Sequence, residues 1–480
     1  MKLRIVTLAT LATLAGQAQA LTLADIDASR ANGTLLEVTM SGSSSLSGII
    51  DFAFRESCLT GTLHTYLNEK AAFYSSVGTD GDFVKAYACQ LRAFNGFGRA
   101  YDNRKILFQK SDEGGSGNGV FPVAYNQRMP FLNVSAATCD QTTLVCGTVA
   151  QKRPDGGVSE VAPNGFNPSA NRPLSPIDFS NYPDVSNNNF QQVRGVLQNI
   201  YGLAISTPLY NALAVDQGIA FDANSVPVSA PSVSKAVIGS ILSDGYNPEV
   251  GWKRLFRNAA NIGTKTQVNI CRSVNGSDTQ TVANRYWLEY GSNLSARTPA
   301  SNDHSSYFPN SFGEYAKANY DNSTTPNYFV YEAWSTGNVR DCLAAANRAG
   351  AFAIGHVSLE NAPTSWWKFA KIDGAEASRD NAKRGFYDYV FESTVQVASA
   401  GNSAAGRAFM VEFTKAAQKS TNLNALSAYN QRGVLLLPYA NECPSDFTFV
   451  AAGTAGETSV NKFCGTVSRP NPADVLSIVK

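Results

Sequence analysis

The sequence predicts an α/β fold with largely parallel sheets. Predicted strands alternate with predicted helices through the middle of the chain, which is the pattern of strand–helix–strand units. The 480 residues, 44% of them hydrophobic, can bury a sizeable core divided among two or three domains. Only 16% of the residues are charged, and Ser, Thr, Asn, Gly and Tyr take their place rather than a long apolar run. This composition argues against a disordered chain, a coiled coil or a membrane-embedded bundle.

Apolar periodicity assigns the predicted elements along the chain. Strands are predicted at residues 35–40, 106–109, 193–205, 267–271 and 351–357. Helices are predicted at residues 46–54, 63–73, 83–94, 233–242, 281–289 and 404–417. Residues 135–190 are rich in Pro, Asn, Ser and Gly and are predicted to form a surface excursion. Because open α/β sheets bind ligands at the carboxyl ends of their strands, beside helix N-termini, we expect the site there.

The N-terminal segment indicates export. Lys2 and Arg4 form a positive region, residues 5–15 form an apolar stretch, and Ala18-Gln19-Ala20 is a cleavage site. Together they are typical of a secretory signal peptide over residues 1–20. The apolar stretch is too short to cross a bilayer, which takes about 20 residues. We therefore expect a periplasmic or secreted protein with no membrane span.

The cysteine content fits the same compartment. Eight cysteines, an even number, indicate four disulfides in an exported protein. There is no Cys-x-x-Cys, and the three histidines are scattered, so no metal site is predicted. Eight cysteines allow many connectivities. Pairing by sequence neighbourhood predicts the disulfides Cys58–Cys89, Cys139–Cys146, Cys271–Cys342 and Cys443–Cys464.

Charge and motifs exclude some function classes and leave others without support. A formal net charge of +1 provides no basic surface for nucleic acid. Neither Ser-rich loop has the Gly-x-Ser-x-Gly spacing of a serine hydrolase, and no P-loop is present. No catalytic residue and no cofactor is therefore predicted. Several loops rich in Ser, Thr and Gly follow a strand and precede a helix, which presents N–H groups and hydroxyls to an anion. The alternative is that these loops are ordinary helix caps and turns.

The order of the polar segments resembles that of a known family. The segments are Ser41–Leu46, Lys110–Gly119, Ile177–Asp184, Ser234–Trp252, Arg272–Thr279 with Tyr286–Leu288, Gly337–Asn338, Gly350–Val357 and Ile372–Tyr389. Together they resemble the phosphate-binding proteins of ABC transporters, which have the type 2 periplasmic binding protein fold. The clearest match is Arg272–Thr279, Arg-Ser-Val-Asn-Gly-Ser-Asp-Thr, which is similar to the family's Arg-Ser-Asp-Gly-Ser-Gly-Thr.

This resemblance implies a two-lobed α/β architecture, with mixed sheets flanked by helices and a ligand cleft between the lobes. The first lobe would combine residues 21–205 with residues 358–480, and it would carry insertions at about 55–105 and 135–175. The second lobe would comprise residues 206–357. Two crossovers, near residues 203–208 and 356–361, would join them.

The resemblance also implies a set of ligand-binding residues. Arg272 would supply a permanently charged fork for two oxyanion oxygens. Ser277 and Thr279 would donate hydroxyl and backbone N–H hydrogen bonds at the start of the following helix. The cage would be completed by Ser44 or Ser45 and by Ser116 and Gly117.

In the family an Asp accepts the proton of monoprotonated phosphate, and here Asp184 is the first candidate and Asp112 the second. The chain departs from the family pattern at three positions. Val274 is an additional residue, Asn275 replaces the family's Asp, and Asp278 stands where the family has Gly. An ionised Asp278 that points inward would repel phosphate, so either it turns outward or the ligand differs.

The expected function is that of an exported solute-binding protein that captures phosphate or a related oxyanion and has no catalytic activity. A permease of an ABC transporter is its expected partner. Two alternatives stay open. One is a secreted or cell-surface interaction protein that uses the insertions and disulfides as its working surface. The other is a phosphatase-like enzyme, which would need a nucleophile or a metal ion.

Overall fold

A computed structural model describes residues 21–68, 84–174, 176–243, 251–265, 267–288, 328–333, 336–417 and three short strands near the C-terminus. The predicted signal peptide and the predicted disulfide Cys443–Cys464 lie outside these residues. None of the described helices is long and apolar enough to cross a membrane.

Helices and strands follow one another along most of the described chain. The helices are α1 Leu23–Ala31, α2 Ser47–Ser57, α3 Phe121–Ala124, α4 Thr207–Asp216, α5 Lys235–Leu242, α6 Asp278–Leu288, α7 Thr336–Arg348, α8 Arg379–Lys383 and α9 Ala404–Ala417. The first ten strands are β1 Leu36–Gly42, β2 His64–Asn68, β3 Val84–Gln90, β4 Lys105–Ser111, β5 Met129–Leu132, β6 Val145–Cys146, β7 Val149–Lys152, β8 Gly156–Ser159, β9 Phe190–Ser206 and β10 Ser232–Val233. The others are β11 Val268–Ser273, β12 Tyr328–Ala333, β13 Ala353–Ser358, β14 Trp367–Phe369, β15 Lys371–Ile372, β16 Val390–Ala398, β17 Val434–Leu436, β18 Thr466–Ser468 and β19 Ser477–Val479.

A mixed sheet of 13 strands organises the described residues and is flanked by helices. Its main order is β12-β11-β13-β9-β16-β8-β1-β4-β3-β2-β6. β1 runs parallel to β4 and β8, and β11 runs parallel to β12 and β13. β9 and β16 are antiparallel to their neighbours. The predicted α/β class is confirmed, and the sheet is mixed, as the family resemblance implies, rather than largely parallel.

The long strand β9 connects the two parts of this sheet. Its residues 190–200 pair with β16, and its residues 201–205 pair with β13. The side chains from Val196 to Ser206 are buried without interruption, which fits a strand covered on both faces. The predicted first crossover begins at the end of this strand. The proposed lobe boundaries stay predictions.

Two predicted helices in the first insertion are wrong where the structure describes them. Residues 64–68 and 84–90 form the strands β2 and β3, which extend the sheet beyond β4. In β3, Tyr87 and Cys89 pack into one hydrophobic core and Ala86 and Ala88 into another. Because both faces of β3 are apolar, the strand lacks the alternation of polar and apolar residues that would have identified it.

The predicted surface excursion at residues 135–190 is wrong for its central part. Residues 156–159 form β8, which is buried in the middle of the sheet between β1 and β16. The segment contains small residues that allow very close packing. A Cβ atom at Gly157 would lie 1.9 Å from the carbonyl oxygen of Gly119, so only glycine fits there.

Three of the four predicted disulfides are confirmed. They join Cys58 to Cys89, Cys139 to Cys146, and Cys271 to Cys342. The first ties α2 to β3, and the third ties β11 to α7. Among the described residues no cysteine is unpaired, which fits an oxidising compartment.

Asp155 fastens the centre of the sheet to the start of α9. Its carboxylate accepts hydrogen bonds from the backbone N–H of Thr39 in β1 at 3.1 Å and of Ser403 at 2.9 Å. Burial raises the pKa of Asp155 to about 6 despite these donors. The folded state therefore disfavours the ionised carboxylate.

We expect this group to make the protein less stable as the pH rises. A carboxyl whose pKa lies near 6 when folded, against an ordinary value of 3.8, stabilises the fold most below pH 4 and loses that contribution as the pH passes 6. Its share of the decline is about 3 kcal/mol. Urea unfolding of wild type and Asp155→Asn from pH 4 to pH 8 should show a smaller decline in the variant. Identical pH dependence in the two proteins would contradict this assignment.

Candidate functional site

The candidate site lies where four loops meet. Because β1, β4 and β8 are parallel, the loops that follow them leave the same edge of the sheet. The loop after β11 and the N-terminus of α6 lie against these three loops. The backbone N–H of Gly117, after β4, donates to the carbonyl oxygen of Gly276, after β11, at 2.8 Å. This edge is where an open α/β sheet is expected to bind a ligand.

The packing of these loops depends on glycine. Gly276 has φ +84°, and a Cβ atom there would lie 2.4 Å from Cα of Pro173. A Cβ atom at Gly115 would lie 3.1 Å from Cα of Ser277. The loops are therefore in direct van der Waals contact, with backbone against backbone.

A small polar group lies at this contact, and we call it the interloop cluster: Ser43, Ser116, Glu160 and Asp278. The Ser43 hydroxyl lies 2.7 Å from Oε1 of Glu160 and 3.4 Å from Oδ2 of Asp278. The backbone N–H of Glu160 donates to the Ser116 hydroxyl at 3.1 Å. Burial and the neighbouring carboxyl of Asp278 hold the pKa of Glu160 well above its ordinary value. The buried carboxyl group of Glu160 thus lies beside the half-buried carboxyl group of Asp278.

Four of the predicted ligand-binding residues lie at this junction or in the first turn of α6. Ser116 is fully buried and belongs to the interloop cluster, and Gly117 makes the backbone hydrogen bond to Gly276. The Ser277 hydroxyl accepts from the backbone N–H of Gln280 at 3.1 Å, so it caps α6. Thr279 is buried in the first turn of the same helix.

Arg272 lies at the end of β11 and forms a buried ion pair with Glu332 of β12. Its Nη2 atom donates to Oε2 of Glu332 at 2.9 Å, and its Nε atom donates to the same oxygen at 3.2 Å. The two residues are direct neighbours in the parallel pairing of the strands. The charge of this guanidinium is therefore balanced within the protein.

The remaining predicted ligand-binding residues are not part of the interloop cluster, or their side chains lie outside the described residues. Ser44 is exposed, and the side chain of Ser45 lies outside the described residues. Asp184 is 72% exposed, and its carboxylate pairs with Arg172 at 2.5 Å. The buried carboxylate of Asp112 pairs with Lys110 at 2.5 Å.

Sequence reasoning missed Ser43, Glu160 and Glu332. Glu160 was missed because it follows β8, and the sequence analysis places that segment in a surface excursion. The sequence Gly156-Gly157-Val158-Ser159 followed by an acidic residue carries a weak signal of a short, buried strand with a functional loop at its end. Asp278 points toward Ser43 and Glu160, which answers the question of its orientation.

One histidine, His356, lines the same small cavity as Arg272. His356 is buried on β13, and its Nδ1 atom accepts from the indole N–H of Trp287 at 3.2 Å. Burial lowers the pKa of His356 to about 3, so the ring stays neutral. Among the described residues no group of three His, Cys, Asp or Glu side chains could hold a metal ion.

Comparison with known proteins gives a likeness of fold. No family model and no curated protein matches the chain. A protein from Clostridium perfringens, described as a phosphate ABC transporter substrate-binding protein and solved with bound phosphate, aligns at a TM-score of 0.38 and 11% identity. The alignment covers 83% of this chain and 99% of that chain.

Two further solved structures align in the same way. An ABC-type phosphate transport receptor from Vibrio cholerae aligns at a TM-score of 0.39 and 9% identity, over 83% of this chain and 99% of that one. PstS from Borrelia burgdorferi aligns at a TM-score of 0.34 and 10% identity, over 83% and 98%.

Proposed function

We propose that this chain is an exported solute-binding protein that holds phosphate or a related oxyanion where the interloop cluster meets the N-terminus of α6. The observation that carries the proposal is this convergence of hydroxyls and backbone N–H groups on one helix end. α6 has 11 residues, and the N-terminus of such a helix carries a partial positive charge and free N–H donors. Ser116, Gly117, Ser277 and Thr279 are the proposed ligand-binding residues there.

The carboxyls of the interloop cluster restrict the form of the ligand. Glu160 and Asp278 would repel a fully ionised oxyanion, but they can accept hydrogen bonds from one that still carries protons. Phosphate is protonated near neutral pH, whereas sulfate is not. The proposal therefore favours phosphate-like anions over sulfate, and it transfers the acceptor role from Asp184 to the cluster.

Arg272 is proposed to act with its partner Glu332 rather than as a free cation. It lies near the carboxyl end of β11, before the loop that contains Ser277, where a guanidinium can offer two parallel donors to an anion. Glu332 holds one side of this fork in place. The three disulfides fit a protein that works outside the cytosol, and a permease of an ABC transporter is the proposed partner.

Calorimetry tests the proposal on the purified chain with phosphate, arsenate and sulfate. We expect saturable binding of phosphate and arsenate, weaker binding of sulfate, and a loss of at least tenfold in affinity for Ser277→Ala, because a hydrogen bond to a charged group is removed. Asp184→Asn is the matched control and should bind within twofold of wild type. No heat and no thermal stabilisation at millimolar concentrations of any of the three anions would rule the function out.

A further inference from the structure

The two carboxyls of the interloop cluster share a single hydrogen-bond donor among the described residues. Among the described residues, the Ser43 hydroxyl is the only donor that contacts either carboxyl group, and it has one hydrogen to give. Ser43 donates this hydrogen to Oε1 of Glu160, which is the closer acceptor at 2.7 Å. Oε2 of Glu160 is buried and accepts no hydrogen bond from the part of the chain that the structure describes. If both carboxyls were ionised, oxygen lone pairs would face one another with nothing between them.

The surrounding charges make this arrangement more unfavourable. The largest charge effects on Glu160 come from Asp278, at the start of α6, and from Glu360, which follows β13, and both residues are acidic. The buried cation Lys110, at the end of β4, donates to the carbonyl oxygen of Gly42 at 2.7 Å and pairs with Asp112. Its charge is already balanced. One proton placed between Glu160 and Asp278 would supply the missing donor and remove one negative charge.

The position of the pair gives this proton a mechanical consequence. Glu160 follows β8, and Asp278 begins α6, so the pair spans the contact between loops of the two parts of the sheet. The other interactions described at this contact, the Gly117–Gly276 hydrogen bond and the packing of Pro173 on Gly276, are neutral. The acidic pair is therefore the part of the contact that responds to pH.

We propose that Glu160 and Asp278 share one proton and that this proton is a latch, which keeps the loop after β8 closed against the N-terminus of α6. When the proton is lost, the buried carboxylate of Glu160 faces a like charge on the half-buried Asp278 and the contact opens. Since the folded pKa of Glu160 lies above the ordinary value of 4.5, the latch is fully closed below that pH and is released as the pH rises through the folded pKa. The inference concerns the ligand-free protein and does not depend on the identity of the solute.

Amide hydrogen exchange of Gly117 measures the latch directly, because this N–H bonds across the contact to Gly276. The reference is the amide of Tyr201, which donates to the carbonyl oxygen of Tyr389 at 2.9 Å within the core. After correction for intrinsic exchange, we expect protection of Gly117 to fall at least tenfold between pH 5 and pH 9, relative to Tyr201. In Glu160→Gln, whose side chain is neutral at every pH and donates to Asp278, we expect this decline to disappear.

Asp278→Asn is the second variant, and it should weaken the pH dependence, since Glu160 then loses the acidic neighbour with the larger effect on it and keeps only Glu360. Circular dichroism confirms folding of each variant before exchange is measured. The proposal is overturned if protection of Gly117 in wild type does not change with pH relative to Tyr201. It is equally overturned if Glu160→Gln keeps the wild-type decline, or if millimolar Ca²⁺ closes the contact at pH 9 and EDTA opens it at pH 5, which would make a metal ion the bridging species.

Discussion

Replacing Glu332 by alanine is expected to lower the free energy of unfolding by about 3 to 5 kcal/mol. Glu332 and Arg272 each have about 8% of their side-chain surface exposed, and they form a close ion pair between neighbouring strands. Removal of the carboxylate leaves a buried guanidinium without its main counter-charge. Most of this loss of stability comes from leaving the charge of Arg272 buried without a partner, rather than from losing the attraction between Arg272 and Glu332.

A double replacement separates these two contributions. Arg272→Met combined with Glu332→Leu removes both charges and fills similar volume, so we expect it to recover most of the stability lost in Glu332→Ala. Glu412→Ala is the control, because Glu412 pairs with Lys415 on an exposed helix surface and such pairs contribute less than about 1 kcal/mol. Urea unfolding followed by circular dichroism measures all four proteins. A loss in Glu332→Ala no larger than that in Glu412→Ala would contradict the buried ion pair.

Removing the disulfide Cys271–Cys342 is expected to cost about 4 kcal/mol. The two cysteines are separated by 71 residues, and the cross-link removes a large amount of conformational freedom from the unfolded chain. Both side chains are buried, on β11 and on α7, so replacement of both by alanine preserves an apolar environment. Because Cys271 precedes Arg272 in β11, we expect removal of this disulfide to make β11 more mobile next to the proposed site.

The disulfide Cys139–Cys146 provides a control within the same chain. Its cysteines are separated by 7 residues, and the same loop-closure relation gives about 2 kcal/mol for its removal. Unfolding in urea without reductant, on the two alanine double variants and wild type, should therefore show a loss about twice as large for the longer loop. Equal losses would mean that chain entropy in the unfolded state is not the main contribution.

Several elements could be predicted because their signals are local. The predicted helix at residues 404–417 coincides with α9, and the predicted strands at 35–40, 106–109 and 193–205 overlap β1, β4 and β9. Three of the four cysteine pairs that were predicted from their order in the chain form disulfides. The fourth predicted pair lies outside the described residues. The helix α9 has one buried face and the strand β9 carries a long continuous buried run, and both patterns are visible in the local sequence.

The failures have a shared physical cause. β3 is apolar on both faces, and β8 consists of four small residues in a region rich in loop-forming residues. Neither segment carries a periodic signal, because each is specified by the strands beside it rather than by a boundary between core and solvent. The periodicity of apolar residues in a sequence indicates only where an element meets the boundary between core and solvent.

The sequence by itself determined the α/β class, the positions of the polar loops after strands, and the presence of Arg272, Ser277 and Asp278 at the start of one helix. The tertiary structure alone decided the partners of these residues. Arg272 pairs with Glu332, 60 residues away, and Asp278 faces Glu160 and Ser43 from other parts of the chain. A local pattern cannot indicate such partners, because contacts between distant residues are fixed by strand order and register. The pairing of the buried carboxyl of Glu160 with the half-buried carboxyl of Asp278 follows from that order. It turns an expected anion cage into a site whose closure we propose is governed by one proton.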